Sequence, residues 1–88
     1  MAYSVVFKPA AVRDLRKLPE DARRRIATRI DALAGDPRPH GIDRIEGMSD
    51  LYRVRVGEDR VVYQIQDRVL LVLVVRIGHR CDVYPKTR

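Results

Sequence analysis

"LYRVRVGEDRVVYQI", residues 51–65, decides how this chain is built. Its period is two: Leu51, Arg53 and Arg55 alternate with Tyr52, Val54 and Val56, and "GED" turns the chain. Val61, Tyr63 and Ile65 then oppose Arg60, Val62, Gln64 and Gln66. That pattern reads as a β-hairpin with one face buried and the other open to solvent. Arg53 and Arg55 share one side of the first strand, and Arg60 opens the second. Bases on exposed strands guard a sheet against edge-to-edge aggregation; they also hold anions, because the planar guanidinium grips phosphate oxygens in pairs. The hairpin alone leaves both readings open.

Downstream, a second turn at Asp67-Arg68 leads into "VLLVLVVRI", residues 69–77, apolar on both faces and therefore the expected central, most buried strand. Arg76 shares a parity with Arg80 at its end, so up to five guanidiniums are expected to converge on one open sheet face. Upstream, "GDPRPHGIDRIEGMSD", residues 35–50, has three glycines, two prolines and no sustained period, and reads as a loop. Before it, Ala22, Ile26, Ile30, Leu33 and Ala34 recur at helical spacing behind the acids Glu20 and Asp21, with Arg23, Arg24, Arg25 and Arg29 on the other side. An earlier helix starts at Pro9, buries Ala11, Leu15 and Leu18, and is stopped by Pro19. "YSVVF", residues 3–7, reads as a first strand. The expected fold is α+β in the order β-α-α-β-β-β, one domain over residues 1–88. Its two N-terminal helices pack on one face of a small, mainly antiparallel sheet.

Eighty-eight residues with 45% hydrophobic and 34% charged content make a folded single domain. Cys81 is the only cysteine, so an intramolecular disulfide and a cysteine-cluster metal site are excluded. The N-terminus lacks signal-peptide features, and the longest apolar run, 69–75, is too short to span a bilayer; a cytoplasmic protein without membrane insertion is expected. The net charge is +6, and 15 of the 18 basic residues are arginine, which fits a polyanionic partner or simply a solvated surface.

Several chemistries find no footing. There is no GxxxxGK loop and no HExxH, and His40 and His79 are the only histidines. Ser4 and Ser49 are the only serines, and neither lies in a nucleophile-elbow context. What fits is RNA cleavage needing neither metal nor other cofactor, in which the ribose 2′-hydroxyl attacks its own phosphodiester. That reaction needs a base for the hydroxyl, cations for charge gathering on phosphorus, and an acid for the departing 5′-oxygen. Arginines supply the cations. Tyr84 and His79 are the groups that can move a proton, although a terminal tyrosine more often packs and a histidine at a strand end more often caps.

"VFKPAAVRDLRKLP", "DPRPHGIDRIEGMSDLYRVRVGEDRVVYQI" and "VLVVRIGHRCDVY" together resemble the RelE/ParE toxin superfamily over nearly the whole chain. The resemblance implies a RelE-like fold and the toxin of a type II toxin–antitoxin pair, held inactive by a cognate antitoxin. The RelE branch cleaves mRNA on the ribosome, whereas the ParE branch inhibits DNA gyrase; a third possibility is a toxin derivative that binds RNA without cutting. In RelE-type enzymes the site is made by two basic strand residues, an arginine opening the next strand, an arginine after the last strand and a C-terminal tyrosine. Here these are Arg53 and Arg55, Arg60, Arg80 and Tyr84. The best-known members have lysines at the first two positions. Arginine stays charged, so the base role moves to Tyr84 or to His79. The resemblance thus implies Arg60, Arg80, Tyr84 and His79 as catalytic and Arg53 and Arg55 as RNA-holding, and the parity of Arg76 with Arg80 adds Arg76 to the RNA-holding set. The chain ends soon after Tyr84, so the mobile C-terminal helix of longer relatives is expected to be absent.

Overall fold

The computed structural model describes residues 2–45, 47 and 50–79. The elements are β1 (Ser4–Phe7), α1 (Pro9–Arg16), α2 (Glu20–Gly35), β2 (Ile42–Arg44), β3 (Leu51–Val56), β4 (Asp59–Gln66) and β5 (Leu71–His79). Pro9 opens α1 because its fixed φ suits a first turn and its missing N–H is not needed there. Pro19 separates the helices, and Glu20 and Asp21 lie in the first turn of α2, where the helix dipole favours them. Arg23 Nη1 donates to the Leu18 carbonyl at 2.7 Å, fastening α2 to the end of the preceding turn.

The strands form one sheet in the order β1-β5-β4-β3-β2, with β1 and β5 parallel and every other pair antiparallel. The helices cover one face. Ala11, Ile26, Ile30 and Leu33 bury themselves there against Val54, Val61, Tyr63, Ile65, Val72, Val74 and Ile77. On the opposite face, Leu51 and Val62 form a smaller apolar cluster with Ile45 and Val75. The α+β layout and the mainly antiparallel sheet are therefore as expected.

Two details differ. The connection after α2 is not all loop: Ile42–Arg44 pairs with β3 as an edge strand, too short to show a period. β5 is interior but not central. The middle strand is β4, where Val61, Val62, Tyr63 and Ile65 are buried; it has a strand on each side and helices above. The turn after β4 is a single 3-10 turn, Asp67–Val69, followed by Leu70 at φ 51°. That left-handed residue costs about 1–2 kcal/mol, and it leaves the Leu70 carbonyl accepting the Ser4 N–H at 2.8 Å, which starts the β1–β5 pairing. The β3–β4 turn is Gly57-Glu58, with Gly57 at φ 62°, a position glycine fills without that cost.

A polar clasp ties the far end of the fold. Arg38 grips Asp67 with two hydrogen bonds of 3.1 and 2.8 Å, and the Tyr3 hydroxyl donates to the same carboxylate at 2.6 Å. Arg38 also lies over the Tyr52 ring, which stacks on Tyr63, and the buried Tyr63 hydroxyl donates to the Pro37 carbonyl at 2.8 Å. Burial pushes the Tyr63 phenol up from its ordinary value, whereas the hydrogen bonds from Arg38 and Tyr3 hold Asp67 down at about 2.

Candidate nucleic-acid interface

The open face is ordered by the strand register. Arg55 lies directly opposite Arg60, and Arg60 in turn lies opposite Gly78 of β5. One row over, Asp43 of β2, Arg53 of β3, Val62 of β4 and Arg76 of β5 follow one another across four strands. Side chains at i and i+2 of a strand share a face, so Arg53, Arg55 and Arg60 stand together on the side away from the helices. Like charges directly opposite each other in an antiparallel pair are unfavourable. Arg55 and Arg60 nevertheless occupy such a pair.

The second half of this geometry depends on a bulge. Between Val62 and Tyr63 the β4–β5 register shifts, so that Tyr63 faces Val74 while Val62 faces Arg76 and Val75 is the extra residue. Before the bulge Val72 and Val74 are buried toward the helices; after it Ile77 takes that side and Gly78 falls in the row of Arg60. Bulges commonly re-aim a strand beside a functional site. Without this one, Arg76 and Gly78 would continue on the side of Val72 and Val74.

Arg53 and Arg55 are each held. Arg53 Nη2 donates to Asp43 Oδ2 at 3.0 Å, and Arg55 Nε donates to the Gly57 carbonyl at 3.1 Å. Arg76 departs from expectation. Its guanidinium reaches α1, donating to Asp14 through Nε at 2.7 Å and Nη2 at 3.2 Å. The same Asp14 oxygen accepts the Ile77 N–H at 3.0 Å. The cause is local: β1 accompanies β5 only as far as Val74, so beyond that point the strand edge needs another acceptor, and Asp14 supplies it. Partial burial raises the Asp14 carboxyl, but the Arg76 hydrogen bond, the Ile77 N–H and the Arg76 charge together leave it below its ordinary value.

His79 pairs with Asp59, one residue out of step with the row of Arg55, Arg60 and Gly78. Arg80 and Tyr84 lie outside the described residues. Sequence reasoning missed Asp43 and Asp14. Asp43 was hidden in a segment read as loop, and Asp14 looked like one more solvated charge on a short helix.

A family model described as the ParE toxin of the type II toxin-antitoxin system, parDE, matches residues 5–84. The chain belongs to this toxin family. The toxin is 30% identical to the mRNA interferase toxin RelE of Escherichia coli (strain K12), over 96% of this chain and 92% of that protein. It is 33% identical to Toxin RelG of Mycobacterium tuberculosis, over 96% and 98% of the two chains. Its fold superposes on the archaeal RelE in the RelE-RelB complex from Pyrococcus horikoshii OT3 with a TM-score of 0.81, at 28% identity, covering 94% of this chain and all of that one. These relatives place the toxin in the RelE-type branch. Among the described residues of the toxin, no helix is long and apolar enough to cross a membrane.

Proposed function

We propose that this toxin is a ribosome-dependent endoribonuclease that cuts mRNA without a metal ion. The observation that carries the reading is the placement of Arg55 directly opposite Arg60, with Arg53 beside them, on the open face of the sheet. In the reaction the ribose 2′-oxygen forms a bond to the adjacent phosphorus, the bond from phosphorus to the 5′-oxygen breaks, and the hydroxyl proton passes to a base while the departing oxygen gains a proton. Arg60 and Arg80 bind the scissile phosphate and stabilise the charge that gathers on it. Arg53 and Arg55 hold the backbone of the mRNA or of ribosomal RNA. Arg76, committed to Asp14, steadies β5 against α1. Tyr84 is the leading base and His79 the alternative, since arginine stays charged and takes up no proton.

Such a site has strong electrostatics and weak acid–base groups. Correct positioning of reactants can contribute about 7–11 kcal/mol, and the ribosome supplies that positioning. The action on translating ribosomes puts the toxin in the cytoplasm. A cognate antitoxin, the counterpart of RelB in the archaeal complex, presents acidic groups to the arginine face and wraps the toxin as an extended or helical segment.

Inhibition of DNA gyrase is the second reading, favoured by the ParE description of the matching family model; it has no need of the arginine rows or of Tyr84. Single-turnover cleavage on mRNA-programmed ribosomes, comparing wild type with Tyr84→Phe and His79→Ala, separates the possibilities. A large loss in Tyr84→Phe with little change in His79→Ala supports the assignment. Cleavage that survives Tyr84→Phe but fails in His79→Ala transfers the base role. No cleavage by the wild type, with supercoiling by gyrase blocked, overturns the nuclease reading.

A further inference from the structure

Asp43 stands on the outermost strand directly across from Arg53, and its carboxylate takes the guanidinium at 3.0 Å. The two partners are unequally covered: the Arg53 side chain is 27% exposed and that of Asp43 67%. An exposed pair of this kind contributes little to folding. A carboxylate and a phosphodiester oxygen are, however, interchangeable acceptors for a guanidinium fork. A nucleic-acid strand that uses Arg53 as a clamp must therefore displace Asp43 or lie beside its negative charge.

We propose that Asp43 is an internal competitor for the phosphate at Arg53. It keeps the guanidinium aimed across the open face while lowering the toxin's affinity for free polyanions. This rests on the nuclease reading for its purpose, though its test does not. Weak binding to loose RNA, combined with strong binding where the ribosome presents phosphates in a fixed array, confines the toxin to its target. The edge strand β2 then does more than finish the sheet, because among the described residues it carries the carboxylate that the register sets directly against Arg53.

The probe is a fluorescent single-stranded 2′-O-methyl oligoribonucleotide, which cannot be cut by 2′-hydroxyl attack, with binding followed by anisotropy over a range of salt. Asp43→Asn keeps the size and one acceptor oxygen but removes the charge. The expected result is affinity higher by about three- to tenfold at low salt, with the log–log salt slope steeper by about 0.7, the value for one further phosphate contact on a single strand. Asp43→Glu, which restores the charge, is expected to bind like wild type. In an Arg53→Ala background Asp43→Asn is expected to gain less than twofold, because the competed group is gone. Thermal melting of each variant confirms that it is folded. Unchanged or weaker binding by Asp43→Asn, an equal gain without Arg53, or no measurable binding by any variant overturns the proposal. Loss of the nuclease reading is detected separately, by wild-type toxin that fails to cut ribosome-bound mRNA.

Discussion

Arg55 and Arg60 occupy opposite positions of the β3–β4 ladder, a pairing that a sheet selected only for stability avoids. Arg60→Gln is accordingly expected to change folding stability by no more than about 0.5 kcal/mol, while lowering cleavage on ribosomes by about 100-fold or more, the scale of losing one charged transition-state contact. Urea melting and single-turnover rates on the same preparation check both halves. The carboxylates behave in the opposite sense. Asp67 and Asp14 both lie below the ordinary carboxylate value in the folded chain, Asp67 at about 2. Groups depressed on folding add stability above their unfolded pKa and lose it as pH falls through the folded one. The toxin should therefore hold its stability down to about pH 4, the unfolded carboxylate range, and lose it steadily from there toward pH 2. Asp67→Asn should flatten that acid limb in a series of urea midpoints against pH. None of this was visible in the residue types, since Asp14 and Asp67 are ordinary surface acids until the fold brings Arg76 and Arg38 to them.

Among the elements, the hairpin was the most legible. Two alternations separated by Gly57-Glu58, broken only at Leu51 and Val62, put most of their apolar residues on the core face in one register, which also sets Arg53, Arg55 and Arg60 on the other face. The helices were equally clear, because Pro9 and Pro19 mark their starts and the apolar spacing gives the buried stripe. β2 was not, because three residues carry no period and its pairing partner lies in another segment. The bulge at Val75 was hidden for a different reason: "VLVVRI" is apolar at nearly every position, so nothing in it reveals where the inward and outward faces exchange. That exchange decides that Gly78 joins the row of Arg60. The position of β4 at the centre likewise comes from the parallel return of β1 beside β5, a tertiary choice. Tyr63 reports on this middle strand. Tyr63→Phe leaves the Pro37 carbonyl without its hydroxyl donor in a buried place, which should cost about 1–3 kcal/mol in denaturant unfolding and leave ribosome-dependent cleavage unchanged.

For the molecule as a whole, the helices and the sheet divide the work. One face of the sheet packs against the helices to form the core; the other carries Arg53, Arg55 and Arg60 beside a small apolar cluster. A charge of +6 on 88 residues draws such a domain toward any polyanion, so its selectivity must come from elsewhere: from Asp43 at the edge of the face, and from a substrate already set in place by a larger particle. Proton transfer was the least legible part of the site, because the residue types alone leave both Tyr84 and His79 able to act as the base. The decisive measurement is primer-extension mapping of a defined mRNA incubated with the purified toxin, with and without ribosomes. A nuclease that borrows its positioning gives cuts at discrete sites on ribosome-bound mRNA and leaves the naked transcript intact at the same toxin concentration. Equal cutting of both samples, or cutting of neither, contradicts it.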